Sequence, residues 1–83
     1  MYRIEISKRI QKDIRRLDNI AKKKVYRTLE MLSSDPFLGR KMQGEYSGYY
    51  RIKIPPLRII YIVDHKNKLI YLRAVGYRGD IYK

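Results

Sequence analysis

Residues 48–63 read "GYYRIKIPPLRIIYIV", two runs of strand-forming residues on either side of a double proline. Apolar and charged side chains alternate in the first run, and Tyr, Ile, Leu and Val dominate both, as pleated strands prefer. Side chains alternate faces along a strand, so Arg51 and Lys53 point the same way. With Pro55-Pro56 as the loop, Ile54 opposes Leu57 and Lys53 opposes Arg58, which gathers Arg51, Lys53 and Arg58 on one face. Like charges directly opposed across strands cost roughly 0.2–1 kcal/mol relative to neutral pairs. The pairing of Lys53 with Arg58 holds only if the prolines form the turn, and proline is disfavoured at the third position of the common turn. The shared face of Arg51 and Lys53 does not depend on it. The opposite face collects Tyr50, Ile52, Ile54, Leu57, Ile59, Tyr61 and Val63, a bed for helices.

Downstream, "DHKNK" makes a turn into a third strand over about residues 69–75. Strict alternation adds Leu69, Tyr71 and Val75 to the helix bed and sets Ile70, Leu72 and Ala74 beside Ile60 and Ile62 on the cationic face. That face is then basic at one end and apolar at the other. An apolar patch on a small basic body needs a cover, either a partner chain or a helix or terminus of its own. Upstream, "YRIEI" at 2–6 alternates as a short strand. Ser7 caps a helix from Lys8 to Leu17 with Ile10, Ile14 and Leu17 on one side. Asp18-Asn19 breaks it and caps a second helix, from about Ile20 to Ser33, whose apolar face is Ala21, Val25, Leu29 and Leu32. "SSDPFLGR" ends the helices, and residues 39–48, with three of the five glycines, read as a connector. The fold class is α+β: a strand, a helical hairpin, then a three-stranded antiparallel meander packed on the helices.

Eighty-three residues make one domain, 1–83, with a modest core. No run approaches the ~18 apolar residues of a membrane span, and "MYRIEISKRI" lacks the apolar core of a signal peptide, so the expected location is the cytoplasm. The absence of cysteine excludes disulfides and thiolate metal sites. Twenty Lys and Arg against eight Asp and Glu give +12, a field suited to polyanions or an acidic protein partner. The excess is not confined to a tail: residues 7–33 carry nine basic and three acidic residues, and residues 40–83 carry ten and three. A merely solubilising lysine-rich surface is the bland alternative.

The runs "YYRIKIPPLRIIYIV" and "LIYLRAVGYRGDIY" resemble the RelE/ParE superfamily of type II toxins. The shared pattern is a basic strand after a Gly-containing lead, a central "R-[IV]-[IV]-Y" strand and a closing "G-x-R-x-x-x-Y". The N-terminal strand and helical hairpin fit as well, so the likeness spans nearly the whole chain, with Gly44 to Tyr82 as its specific part. The resemblance implies a RelE-like β-α-α-β-β-β fold. It also implies cleavage of mRNA in the ribosomal A site, as in the RelE branch, and an acidic cognate antitoxin that covers the sheet and blocks the site. The pattern's functional positions fall on Arg51, Lys53, Arg58, Arg78 and Tyr82. Arg51 stands where a Lys is frequent, the Arg78–Tyr82 spacing is short, and no C-terminal helix follows Tyr82.

The residues can carry that chemistry. Metal-free RNA cleavage needs the 2′-OH deprotonated, the phosphorane charge held and the 5′-oxygen protonated as it leaves. With His65 the single histidine, a His pair is excluded, and a lone turn histidine reads as solvated. No His/Asp/Glu cluster has metal-ligand spacing, so neither metal nor cofactor is expected. Arg forks suit a developing phosphate dianion. Arg58 and Arg78 would hold the scissile phosphate. Lys53, whose protonated form its cationic neighbours disfavour, and Tyr82 would handle protons or orient the RNA. Tyr82 alone reads equally as a core plug. Lys22, Lys23, Lys24 and Arg27 read as a footprint for rRNA, or as a solvated helix face. Two rivals keep the fold and change the function: a ParE-like DNA gyrase inhibitor, and a degenerate module that grips RNA without cutting it.

Overall fold

The computed structural model of the protein describes residues 1–77. In chain order it holds β1 (Arg3–Glu5), α1 (Lys8–Arg15), α2 (Asn19–Ser34), β2 (Arg40–Lys41), a 3₁₀ turn (Gly44–Tyr46), β3 (Tyr50–Ile54), β4 (Leu57–Asp64) and β5 (Leu69–Tyr77). The five strands form one sheet in the order β1-β5-β4-β3-β2. β3, β4 and β5 make the antiparallel meander, and β1 joins its far side parallel to β5. No helix among the described residues is long and apolar enough to cross a membrane.

Both helix starts follow from their caps. Ser7 Oγ accepts the Ile10 N–H at 3.3 Å, and Asp18 Oδ1 accepts the Ala21 N–H at 2.8 Å. Each satisfies a first-turn donor that would otherwise be left over, a contribution of about 1 kcal/mol. The helices then bury Ile10, Ile14, Leu17, Ala21, Val25, Leu29 and Leu32 against Leu57, Ile59, Tyr61, Ile70, Leu72 and Val75 of the sheet. Thr28, the buried polar residue of α2, turns its hydroxyl back onto the Lys24 carbonyl at 2.8 Å.

The register across the double proline is the one the sequence suggests. Ile54 pairs with Leu57, Lys53 with Arg58, and Arg51 with Ile60. Pro55-Pro56 forms the two-residue turn with a cis peptide bond between them, which is how a proline occupies the third position of a turn.

β5 departs from strict alternation. Ile60 pairs with Ala74 but Tyr61 pairs with Leu72, so Arg73 is an extra residue, a β-bulge. One extra residue inverts the faces of everything before it. Ile70 and Leu72 therefore face the helices, at 0% and 6% exposure, whereas Tyr71 stands outward at 42%. The expected places of Leu69, Tyr71, Ile70 and Leu72 are thus exchanged; those of Ala74 and Val75, past the bulge, are as read from the sequence.

The connector 39–48 holds two elements that local sequence does not announce, β2 and the 3₁₀ turn. β2 pairs Arg40 with Arg51 and Lys41 with Tyr50. Its position is fixed from inside the protein by Tyr61, which is fully buried. The Tyr61 hydroxyl accepts the Gly39 N–H at 2.9 Å and donates to the Pro36 carbonyl at 3.0 Å. Gly39 has to be glycine for this approach: a Cβ there would lie 2.7 Å from Tyr61 Oη and 2.8 Å from the Arg51 carbonyl oxygen.

Candidate functional site: a cationic sheet face

The sheet face turned away from the helices carries Arg51 and Lys53 from β3 and Arg58 from β4. Arg51 and Arg58 are half-buried, and Lys53 is exposed. Lys53 and Arg58 sit directly opposite one another, so their Cβ atoms lie roughly 4.5–5.5 Å apart. Arg40 on β2 stands opposite Arg51 and extends the same face. Sequence reasoning missed Arg40, because its face is set by a two-residue strand whose partner lies eleven positions away.

Two clefts open on this region, and Lys53 lines both. One, of about 310 Å³, follows the edge of β3 left free where β2 ends, between Leu38, Gly39, Arg40, Arg51, Ile52 and Lys53. The other, of about 370 Å³, lies around the turn, between Lys53, Pro55, Pro56, Leu57 and Arg58. A larger cleft of about 450 Å³ runs along the opposite edge, between α1 and the half of β5 that β1 leaves uncovered. Arg9, Arg16 and Arg73 line it together with one carboxylate, Asp13.

Further along the outer face the character changes. Ile60 and Ala74 are buried at its centre, and Ile62 and Tyr71 are exposed beyond them. The basic end and the apolar end are both present, with Tyr71 in place of the expected Ile70 and Leu72.

The helical cations divide. Lys23, Lys24 and Arg27 share a shallow depression with Ile20 on α2, and Lys22 lies outside it, half-buried. Lys24 Nζ donates to the Pro55 carbonyl at 3.2 Å, tying this helix to the turn that carries Lys53 and Arg58. Arg78 and Tyr82 lie outside the described residues.

His65 has neighbours that the sequence did not predict. Its Nδ1 shares a 3.0 Å hydrogen bond with the Tyr2 hydroxyl, and its ring stacks on Phe37 at 5.0 Å. The imidazole thus joins the residue ahead of β1, the loop after α2 and the β4–β5 turn. Phe37 in turn meets Tyr50 edge-on, and Tyr50 stacks on Tyr61 at 5.4 Å. Burial holds the Tyr61 phenol above its usual pKa; the Gly39 N–H opposes the shift, and Tyr50 and Asp35 add to it.

An opposed Lys–Arg pair with two further guanidinium groups alongside is suited to oxyanions, phosphate or carboxylate. Among known proteins, a curated relative in Methanocaldococcus jannaschii, named "Putative toxin RelE1", is 29% identical over 87 aligned positions, which take in 99% of this chain and 96% of that one. The toxin–antitoxin complex RelBE2 of Mycobacterium tuberculosis contains a chain that superposes with a TM-score of 0.84 at 19% identity, over 93% of this chain and 98% of that one. The isolated Escherichia coli RelE toxin gives a TM-score of 0.82 at 22% identity, over 99% of this chain and 92% of that one. The family model described as the ParE toxin of type II toxin–antitoxin systems matches residues 4–82. With that match running almost end to end, the chain belongs to this toxin family, within the RelE/ParE superfamily.

Proposed function

We propose that this toxin is a ribosome-dependent mRNA endoribonuclease, a single domain over residues 1–83 that acts in the cytoplasm and cuts mRNA in the ribosomal A site. The observation that carries the reading is the opposition of Lys53 to Arg58 with Arg51 two residues along the same face. Like charges facing one another across a ladder repel, and a phosphate between them would turn that repulsion into attraction.

In the reaction, the ribose 2′-oxygen attacks the adjacent phosphorus while its proton passes to a base. The P–O5′ bond breaks, and the 5′-oxygen leaves with a proton, giving a 2′,3′-cyclic phosphate and a 5′-hydroxyl. Arg58 and Arg78 neutralise the phosphorane, Arg51 holds a neighbouring oxygen, and Lys53 and Tyr82 move the protons. Lysine and tyrosine are weak catalysts near neutral pH, so alignment of the RNA by the ribosome supplies several kcal/mol. Lys23, Lys24 and Arg27 meet rRNA by charge, with Lys22 at their margin. An acidic antitoxin lays an apolar segment over Ile62 and Tyr71 and its carboxylates over the cations, which closes the site.

The test is primer extension after induction, on one reporter mRNA with and without its start codon, in parallel with Arg58→Ala. Cuts confined to the translated message, and at least about 100-fold weaker in the variant, are expected from loss of one charge-stabilising donor. Cuts in both messages would make the protein a free ribonuclease. The family model's ParE description favours a second reading, inhibition of DNA gyrase. Growth arrest with intact mRNA and altered plasmid supercoiling would establish it instead.

A further inference from the structure

We propose that Arg40 is a further phosphate-contacting residue of the cationic face, set beside Arg51 by the anchor that Tyr61 makes on Gly39. The inference rests on the reading that this face handles RNA.

Arg40 is exposed, and it opposes Arg51 across the β2–β3 ladder. Directly opposed residues share a face, so Arg40 joins Arg51 and Lys53 on the side away from the helices. All three line the same cleft, and no carboxylate lines it with them. Among the described residues none of the three has a carboxylate within 4.0 Å. The two guanidinium groups therefore repel each other with nothing in the described fold between them.

A two-residue edge strand with a repulsive pair in it would separate unless something else held it. The holding is done from below. Tyr61 ties Gly39 and Pro36 through its hydroxyl, and the missing Cβ of Gly39 lets the chain run flush against β3. At the other end, the Met42 N–H donates to the Tyr49 carbonyl at 2.9 Å. The anchor and the repulsion make sense together if an anion completes the site. Two guanidinium forks side by side match the oxygens of a sugar–phosphate chain, which Arg binds in two-point fashion. Arg40 then binds the strand next to the scissile group, and Tyr61 is a positioning residue for it.

The experiment measures binding of a fully 2′-O-methylated single-stranded RNA, which lacks the attacking hydroxyl, over a series of salt concentrations. Each phosphate contact adds about 0.7 to the slope of log affinity against log salt. Arg40→Ala is expected to weaken binding several-fold at low salt and to lower the slope by about 0.7, whereas Arg40→Lys keeps the slope. Lys66→Ala, in the β4–β5 turn, is expected to leave it unchanged; an equal drop there would mean that the slope follows net charge, and would overturn the proposal. Tyr61→Phe, with folding checked by circular dichroism, should lose as much slope as Arg40→Ala, and the double variant no more than either. A wild-type slope for Tyr61→Phe would remove the positioning role. Arg40→Ala is a change at an exposed side chain and decides the contact even if Tyr61→Phe unfolds. A wild-type slope for Arg40→Ala beside lowered slopes for Lys53→Ala and Arg58→Ala would overturn this inference alone. Unchanged slopes for all three would overturn the RNA reading of the face as well.

Discussion

Tyr61 is fully buried, yet its hydroxyl is satisfied twice, by Gly39 and by Pro36. Removing that oxygen leaves an N–H and a carbonyl without their partner, so Tyr61→Phe should lose about 1–3 kcal/mol of stability. The loss is pH-dependent. Burial raises the phenol's pKa in the folded state, so its stabilisation is complete below the unfolded value of about 10 and falls as pH rises through the folded one. Chemical denaturation of wild type and Tyr61→Phe at several pH values should show their difference shrinking above about pH 10. A difference that grows there would contradict the burial argument. At this scale the sequence was informative where one period governed. Arg51, Lys53 and Arg58 could be placed because strands alternate and the loop is two residues long. Arg40 could not, since nothing between Pro36 and Gly48 says which residues will touch β3. His65 is exposed, as a lone turn histidine should be, but its contacts with Tyr2 and Phe37 could not be read because those residues come from distant segments.

Among the elements, α2 shows how capping and packing divide the work. Asp18→Ala removes the cap and should lower stability by about 1 kcal/mol, a fall in Tm of roughly 4–8 °C for a domain this size. Leu32, with no exposed surface, lies in the cluster between helices and sheet. Leu32→Ala should lose about 2–5 kcal/mol. Thermal melts of the two variants would check the order, and a larger loss for Asp18→Ala would contradict it. Both helices and four of the five strands, all but β2, could be read from the sequence because caps, side-chain periodicity and breakers agree there. The bulge at Arg73 could not. "LIYLRAV" is equally compatible with an unbroken strand, and only pairing with β4 shows that one residue is surplus. Nor does a short N-terminal strand say where it will dock: β1 is parallel to β5 through a choice made by the whole fold.

For the whole molecule, the +12 charge is the dominant property. A compact body with that much like charge is strained by it, and a bound polyanion relieves the strain. Heparin at about 50 mM salt should therefore raise Tm by several degrees, through binding to the folded state. The shift should vanish near 1 M salt, where screening reaches about 3 Å. A salt-independent shift would point to apolar rather than ionic contact. Sequence reading reached the net charge and its spread over both halves, but not that Lys24 joins the helical cations to the Pro55 turn.

The parallel pairing of β1 with β5 also sets a timetable. Residues 3–5 are synthesised more than sixty positions before their ladder partners, 69–71. β5 is an interior strand, seated between β1 and β4. A nascent chain that has emerged only as far as residue 64 thus has its first strand unattached and the edge of β4 bare. The β3–β4 hairpin exists by then, but an isolated hairpin is marginal in water. Lys53 and Arg58 acquire a fixed spacing only once the final strand is inserted. A copy whose translation stops short of residue 69 is a chain without a closed sheet, and hence one that cannot present the cationic face at all.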